Sequence, residues 1–297
     1  MKVIDLFSGC GGMSMGFQNA GYEVVAAFDN WKGAGDIYKL NFNHPFHLKD
    51  LNSNESESII DKYSFDMIIG GPPCQDFSIA GKRNDNGKRA NLTLKFAELV
   101  TKKRPKWFVM ENVYNITKSK VLPKIIELFD KAGYGLTCEV LNASYLGIPQ
   151  ARKRFFMIGK LDEKHDFLKA DLLKNHSAKP MSVKEYFGNK LDIDFYYAHP
   201  RSYKRRAVFS VHEPSSTIRG VNRPIPKGYS KHSADKSEIT EYVRPLTSKE
   251  RSLIQTFPDD FEFIGSKTAV EQSIGNAVPV KMAEHVASTI INFVAND

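Results

Sequence analysis

The stretch GGPPCQDFS, residues 70–78, sets a cysteine directly after two prolines at the end of a strand-like run. Cys74 has four possible readings: buried filler, metal ligand, half of a disulfide, or nucleophile. The chain holds three cysteines, Cys10, Cys74 and Cys138, scattered and odd in number, with no CxxC pair. A disulfide framework and a zinc knuckle both call for paired or closely spaced cysteines, so those two readings are disfavoured and no metal is expected. Filler and nucleophile stay open for Cys74. Cys10 and Cys138 read as small buried hydrophobes, the commonest state of a lone cysteine.

A second candidate is the glycine-rich turn DLFSGCGGMSMGF, residues 5–17, which follows one strand-like run and opens a helix. Gly9 and Gly11 match the start of a dinucleotide-binding GxGxxG, but Ser14 stands where the third glycine belongs. No GK[ST] follows, so a phosphate loop is also excluded. Glycines at such a turn let the backbone approach a bound nucleoside closely. Asp29 ends the second strand-like run, where an acid accepts hydrogen bonds from ribose hydroxyls. The expected ligand carries a ribose and need not carry a pyrophosphate.

These residues need a frame that brings them together. In the first 160 residues, runs such as KVIDLF, EVVAAFD, FDMIIGG, KWFVMENV, LTCEVLNA and RFFMIGK alternate with helical patterns. The helical segments are MSMGFQNA, GDIYKLNF, TLKFAELVTKK and VLPKIIELFDKA. Strand alternating with helix predicts an α/β fold, a mostly parallel sheet with helices on both faces. Ligands then bind at the carboxyl ends of the strands. From residue 188 the pattern changes to prolines and short scattered strands, which predicts a smaller loop- and strand-rich domain. TSKERSLIQTF predicts a helix capped by Thr247, with Glu250 three residues on. VPVKMAEHVASTIINFVA predicts an amphipathic helix that packs back on the sheet. The expected division is 1–187, 188–271 and 272–297.

Composition narrows the partners. The chain is 41% hydrophobic and 26% charged, typical of a globular protein. No apolar run reaches the ~18 residues that span a bilayer, and no signal-peptide core precedes the first strand, so a cytoplasmic protein is expected. The net charge of +8 favours a polyanionic partner. From Arg201 to Lys231 eight Lys or Arg residues stand against one acid, Glu213. Aromatics interleave with them, as on surfaces that contact nucleic acid.

Three more segments complete a set: ENV, residues 111–113; QARKRFFMIG, residues 150–159; and QSIGNAVPV, residues 272–280. With DLFSGCGG and GGPPCQDFS, in that order and over most of the chain, this set resembles the cytosine-C5 methyltransferases. It is most similar to the bacterial, restriction–modification branch that acts on DNA. The resemblance implies a Rossmann-like fold that binds S-adenosyl-L-methionine, a target-recognition domain between QARKRFFMIG and RPLTSKERSLIQTF, and no metal. It implies covalent catalysis: the Cys74 thiolate adds to carbon 6 of cytosine and makes carbon 5 nucleophilic. A free thiol is only a few per cent thiolate at neutral pH, so it gains from nearby cations such as Arg152 and Arg154. Glu111 would hydrogen-bond or protonate N3, for which burial must raise its pKa, and Arg154 would contact O2. Glu111 and Arg152 could also be structural, or Arg152 a contact to the DNA backbone.

For the methyl donor, the resemblance implies Phe7 at the adenine, Gly9 and Gly11 along the methionine part, and Asp29 on the ribose. Asp50 would accept from the adenine amino group with Leu51 beside it, and Asn30, Pro73 and Asn276 complete the set. Relatives place an aromatic after the ribose-binding acid; here Asn30 follows Asp29 and Trp31 comes next. The target base must leave the duplex to be reached, at a cost of a few kcal/mol. Gln75, Ser78 and Arg89 belong to a polar loop expected to close over DNA, and Arg219 and Arg223 are expected on bases or phosphates. The expected partner is double-stranded DNA in a bacterial or phage cytoplasm, bound by a monomer that pairs functionally with a restriction endonuclease. The alternatives are tRNA methylation by the same chemistry, or a non-catalytic DNA-binding protein.

Overall fold

The computed structural model describes residues 1–73, 90–174, 176–202 and 204–296. Cys74, Gln75, Ser78 and Arg89 lie outside the described residues. The chain begins β1 (Lys2–Leu6), α1 (Gly12–Asn19), β2 (Glu23–Asp29), α2 (Lys32–Asn41), β3 (Phe46–Leu48), α3 (Asn54–Ile60) and β4 (Met67–Gly70). It continues α4 (Ala90–Lys103), β5 (Trp107–Val113), α5 (Val121–Lys131), β6 (Tyr134–Asn142), β7 (Gln150–Ala151), β8 (Lys153–Leu161) and α6 (Lys169–Lys174). Then follow α7 (Val183–Phe187), β9 (Phe195–Tyr197), β10 (Val208–Ser210), β11 (Ser215–Ser216) and β12 (Arg244–Pro245). The chain closes with α8 (Ser248–Ile254), α9 (Lys267–Asn276) and α10 (Val280–Asn296).

The chain divides into two compact units, one of residues 1–141, 153–175 and 283–297, the other of 142–152 and 176–282. In the first unit, a seven-stranded sheet among the described residues has the order β3-β2-β1-β4-β5-β8-β6. β1, β2, β3, β4 and β5 pair in parallel, and β8 runs antiparallel to β5. All but one of the seven residues of β5 are buried. That continuous burial belongs to a central strand covered on both faces, which is why WFVMENV does not alternate polar and apolar residues. The order reverses between β1 and β4, because the chain builds outward from β1 to β3 and then returns to start at β4. This places the carboxyl ends of β1 and β4 at the crevice where such sheets take ligands. The edge strand β3, only three residues long, has no counterpart among the expected strands. From residue 283 the C-terminal helix belongs to this unit, with Phe293 edge-on to Trp107 and Tyr22 Oη donating to the Ala287 carbonyl.

The second unit carries a three-stranded sheet, β10-β9-β12, and the short pair β11-β7. Its core joins Val183, Phe187, Tyr196, Phe209, Ile218, Leu246, Ile254, Val270 and Ile274. The unit starts at 176 rather than the expected 188, because α7 sends Val183 and Phe187 into this core. It runs to 282 rather than 271, because α9 contributes Val270 and Ile274. α8 begins as expected: Thr247 Oγ1 accepts from the Glu250 amide at 3.2 Å, and Glu250 accepts from the Thr247 amide at 2.7 Å.

Candidate active site

At the end of β1 the backbone takes left-handed conformations at every second residue, Phe7 (φ 59°), Gly9 (φ 55°) and Gly11 (φ 98°). A non-glycine residue there is strained, and such strain is concentrated at functional sites. The Ser8 amide donates to the Phe28 carbonyl at 3.1 Å, which ties the turn to β2. Two reasons for glycine separate cleanly here. A Cβ on Gly11 would lie 2.3 Å from the Phe42 ring, so packing alone excludes a side chain. A Cβ on Gly9 would meet nothing within 4 Å: the backbone there faces open space.

Asp29 borders that space. Its Oδ2 accepts from the Gly9 amide at 2.9 Å and its Oδ1 from the Trp31 amide at 2.8 Å. Burial pushes its carboxyl above the ordinary value, while the amides of Trp31, Gly9 and Asn30 pull the other way. The carboxylate is thus oriented by backbone before any ligand arrives. Asn30 is exposed and Trp31 half-buried. Asp50 is exposed and closes a small turn, accepting from the Asn52 amide at 3.0 Å and side chain at 3.1 Å. Leu51 beside it is buried in the core of the unit.

Ser14, the residue that breaks the glycine pattern, has a structural task. Its hydroxyl donates to Asp5 Oδ2 at 2.6 Å and accepts from Tyr38 Oη at 2.6 Å, and Tyr38 meets His44 Nε2 at 2.6 Å. Burial pushes the Asp5 carboxyl up to about 7 and the His44 imidazole down to about 4. Sequence reading passed over this chain of side chains under the turn. The only signal was a lone acid within the apolar run KVIDLF.

At β4 and β5 the geometry converges on Glu111. Its Oε1 lies 2.9 Å from Arg154 Nε, both side chains being largely buried. A Cβ on Gly71 would stand 3.1 Å from Glu111 Oε2, so the exit of β4 passes close over the carboxylate. Asn112 Nδ2 donates to the Pro72 carbonyl at 3.3 Å and fixes the same exit from the other side. Pro73 is half-buried, and Cys74 follows it in the chain. The described cysteines are poor thiolates: burial pushes Cys10 and Cys138 each up to about 12.

Arg152 and Arg154, two residues apart, belong to different units. The break between β7 and β8 falls at Arg152 and separates them. In the second unit the buried Arg152 guanidinium donates to the carbonyls of Ile218 (2.9 Å), Gly275 (3.2 Å) and Ala277 (2.9 Å). Gln150 and Gln255 do similar work, joined at 2.7 Å, with Gln255 donating to the Ile274 carbonyl at 2.6 Å. Asn276 ends α9 and is exposed. Arg219 donates to the His199 carbonyl, and its guanidinium is depressed first by burial and then by Arg201 and Arg205. The His199 ring is lowered by burial and then by Arg223 and Arg219. Four arginines spread over 23 residues of sequence therefore form one positive cluster. Arg206 is set apart from it by its pairing with Glu213 at 2.9 Å.

The family model of the C-5 cytosine-specific DNA methylases matches residues 1–292. The chain belongs to the C-5 cytosine-specific DNA methylases. As a member it is an enzyme, a DNA (cytosine-5-)-methyltransferase. This methylase is 58% identical over 296 residues to the Type II methyltransferase M.HindV of Haemophilus influenzae, covering 99% of this chain and 97% of that one. It is 52% identical over 294 residues to the Type II methyltransferase M.HgiDI of Herpetosiphon aurantiacus, covering 98% and 94%. Among solved structures, the S. pombe Dnmt2 methyltransferase superposes with a TM-score of 0.75 over 99% of both chains, at 18% identity. That likeness shows the methyltransferase fold. Among the described residues no helix is long and apolar enough to cross a membrane.

Proposed function

We propose that this methylase transfers a methyl group from S-adenosyl-L-methionine to carbon 5 of a cytosine flipped out of a specific duplex site, through a transient bond between Cys74 and carbon 6. The observation that supports this reading is the Glu111–Arg154 pair, with Gly71 close over the Glu111 carboxylate and Asn112 holding the Pro72 carbonyl, two residues before Cys74 in the chain. That placement puts an acid and a guanidinium beside the start of the segment that bears the nucleophile. Attack by the Cys74 thiolate forms the S–C6 bond and pushes the ring electrons toward N3 and O2. Glu111 holds N3 and Arg154 holds O2, so the charge that develops is met by groups already in place. Carbon 5 is then nucleophilic. After it has gained the methyl group, loss of its proton and expulsion of Cys74 restore the aromatic ring.

The donor fits the first unit on two observations: the open space at Gly9, and an Asp29 carboxylate oriented toward its border by two amides. Phe7, Gly9, Gly11, Asp29, Asn30, Asp50 and Pro73 would hold it, with Leu51 supporting Asp50 from the core. Asn276 is assigned on its motif alone. When bound, S-adenosyl-L-methionine supplies an electrophilic methyl carbon on a sulfonium. Arg152 is assigned to holding backbone in the second unit rather than to the base, because its guanidinium already serves three carbonyls. Gln75, Ser78 and Arg89 are assigned to the DNA on sequence, and Arg219 and Arg223 on their place in the arginine cluster.

The duplex is read by a monomer in a bacterial or phage cytoplasm, where methylation protects the DNA from a partner restriction endonuclease. Bisulfite sequencing of DNA from cells that express the chain tests the reading. One cytosine within a short fixed sequence should be protected, and Cys74→Ala should leave none. DNA carrying 5-fluorocytosine at that position should form an adduct that survives denaturing electrophoresis. Protection that persists in the Cys74→Ala protein would remove the nucleophile.

A further inference from the structure

We infer that the carboxyl edge of the sheet at β5 and β8 carries a lysine track, Lys118, Lys120, Lys124 and Lys153, that binds the phosphodiester backbone of the DNA beside the target base. The inference rests on the proposed action on duplex DNA. Val113, the last residue of β5, pairs with Arg154, so the start of antiparallel β8 lies at the same edge as Glu111. A short 3-10 turn, Tyr114–Lys118, leaves β5 there and packs against β8 and α5. All four lysines are exposed, and Tyr114 among them is 38% exposed.

Four features separate this track from ordinary solvated charge. No Asp or Glu occurs in residues 112–126 or 140–161, so the described segments that carry these lysines at the edge hold no acid. None of the four lysines has a carboxylate partner among the described residues, whereas elsewhere in the same unit Lys95 and Lys102 share Glu57, and Lys103 meets Asp61. Lys120 and Lys124 stand four residues apart at the start of α5, a spacing that sets like charges one above the other and weakens an isolated helix. The first turn of α5 carries no acid, although acids are the residues favoured at a helix start. A polyanion laid along this edge relieves the repulsion and supplies the missing partners. The track belongs to the catalytic unit and is separate from the arginine cluster of the second unit.

Each lysine seated on a phosphate adds about 0.9 to the slope of log binding constant against log salt. The quadruple variant Lys118→Gln, Lys120→Gln, Lys124→Gln, Lys153→Gln should lose about 3.6 from that slope on duplex DNA. Its Kd at physiological salt should rise at least tenfold. A control with four other lysines neutralised, Lys32, Lys49, Lys131 and Lys169, each paired to an acid, should keep the parent slope. Circular dichroism checks the fold. If the quadruple variant does not fold, single Gln variants at Lys118 and Lys124 should each lose about 0.9, and Arg at either position should restore it. An unchanged slope, an equal loss in the control, or a loss seen on tRNA and not on duplex DNA would overturn the inference. Failure of the parent protein to methylate duplex DNA is a different outcome, and it would remove the proposed function itself.

Discussion

In the first unit, Asp29 and Glu111 stand at the carboxyl ends of sheet strands, beside backbone kept thin by Gly9 and Gly71; in the second, Gln150, Arg152 and Gln255 are spent on main-chain carbonyls and on one another. The difference follows from how each unit satisfies its own backbone. A seven-stranded sheet with helices on both faces pairs its peptide groups internally, so its polar side chains are available at the strand ends. The second unit has strands of two or three residues, too short to pair the loops around them. Buried amide and guanidinium side chains take over that work, because an unpaired buried carbonyl is costly. Arg152 and Arg154 show the contrast at closest range: the same residue type, two positions apart, structural in one unit and placed beside a carboxylate in the other.

The largest effect expected from this contrast concerns the buried acid of the first unit. The unfolded chain releases the Asp5 proton near the ordinary 3.8, while burial holds it in the folded chain up to about 7. Across that window the unfolded state binds fewer protons, so this group's contribution to stability falls as pH rises from about 4 to about 7 and is flat above. Asp5→Asn should flatten the stability–pH profile by up to about 4 kcal/mol over that range. Parallel denaturant profiles of the two proteins would show that Asp5 is not the source.

The arginine pair comes next. Arg154→Ala should lower kcat by about 10²–10³, or roughly 3–4 kcal/mol, with little change in Tm. Arg152→Ala should instead destabilise the fold by about 3 kcal/mol, because the Ile218 and Gly275 carbonyls lose their donor and Ala277 keeps only Gln255. Kinetics and thermal unfolding on both variants read the split, and a reversed pattern would exchange their roles. The smallest effect is at the α8 cap. Thr247→Ala removes the hydroxyl that accepts from the Glu250 amide and should cost about 1 kcal/mol, while Thr247→Ser should restore it.

The parts legible in sequence were those with a local cause. KVIDLF, EVVAAFD and KWFVMENV announce buried strands because their apolar runs suit a covered sheet, and Thr247 with Glu250 announces a helix start because a cap is made within four residues. The domain limits were less legible. Val183 and Phe187 look like any amphipathic turn, and only the core they enter assigns them to the second unit. Ser14 reads as a defect in a glycine pattern until its Asp5 and Tyr38 partners are seen. Arg152 and Arg154 read as one face of one strand, since side chains alternate with period two. The break at Arg152 makes them different.

By itself the amino-acid sequence determined the kind of sheet, the order of its strands in the chain, the family, and the acids and glycines at the strand ends, because each depends on periodicity or on a short run of contiguous residues. Only the tertiary structure decided which arginine meets Glu111, what Ser14 is for, and that lysines from a turn, a helix and a strand stand at the Glu111 edge of the sheet. Those facts depend on contacts between segments distant along the chain, and no local pattern encodes such a contact.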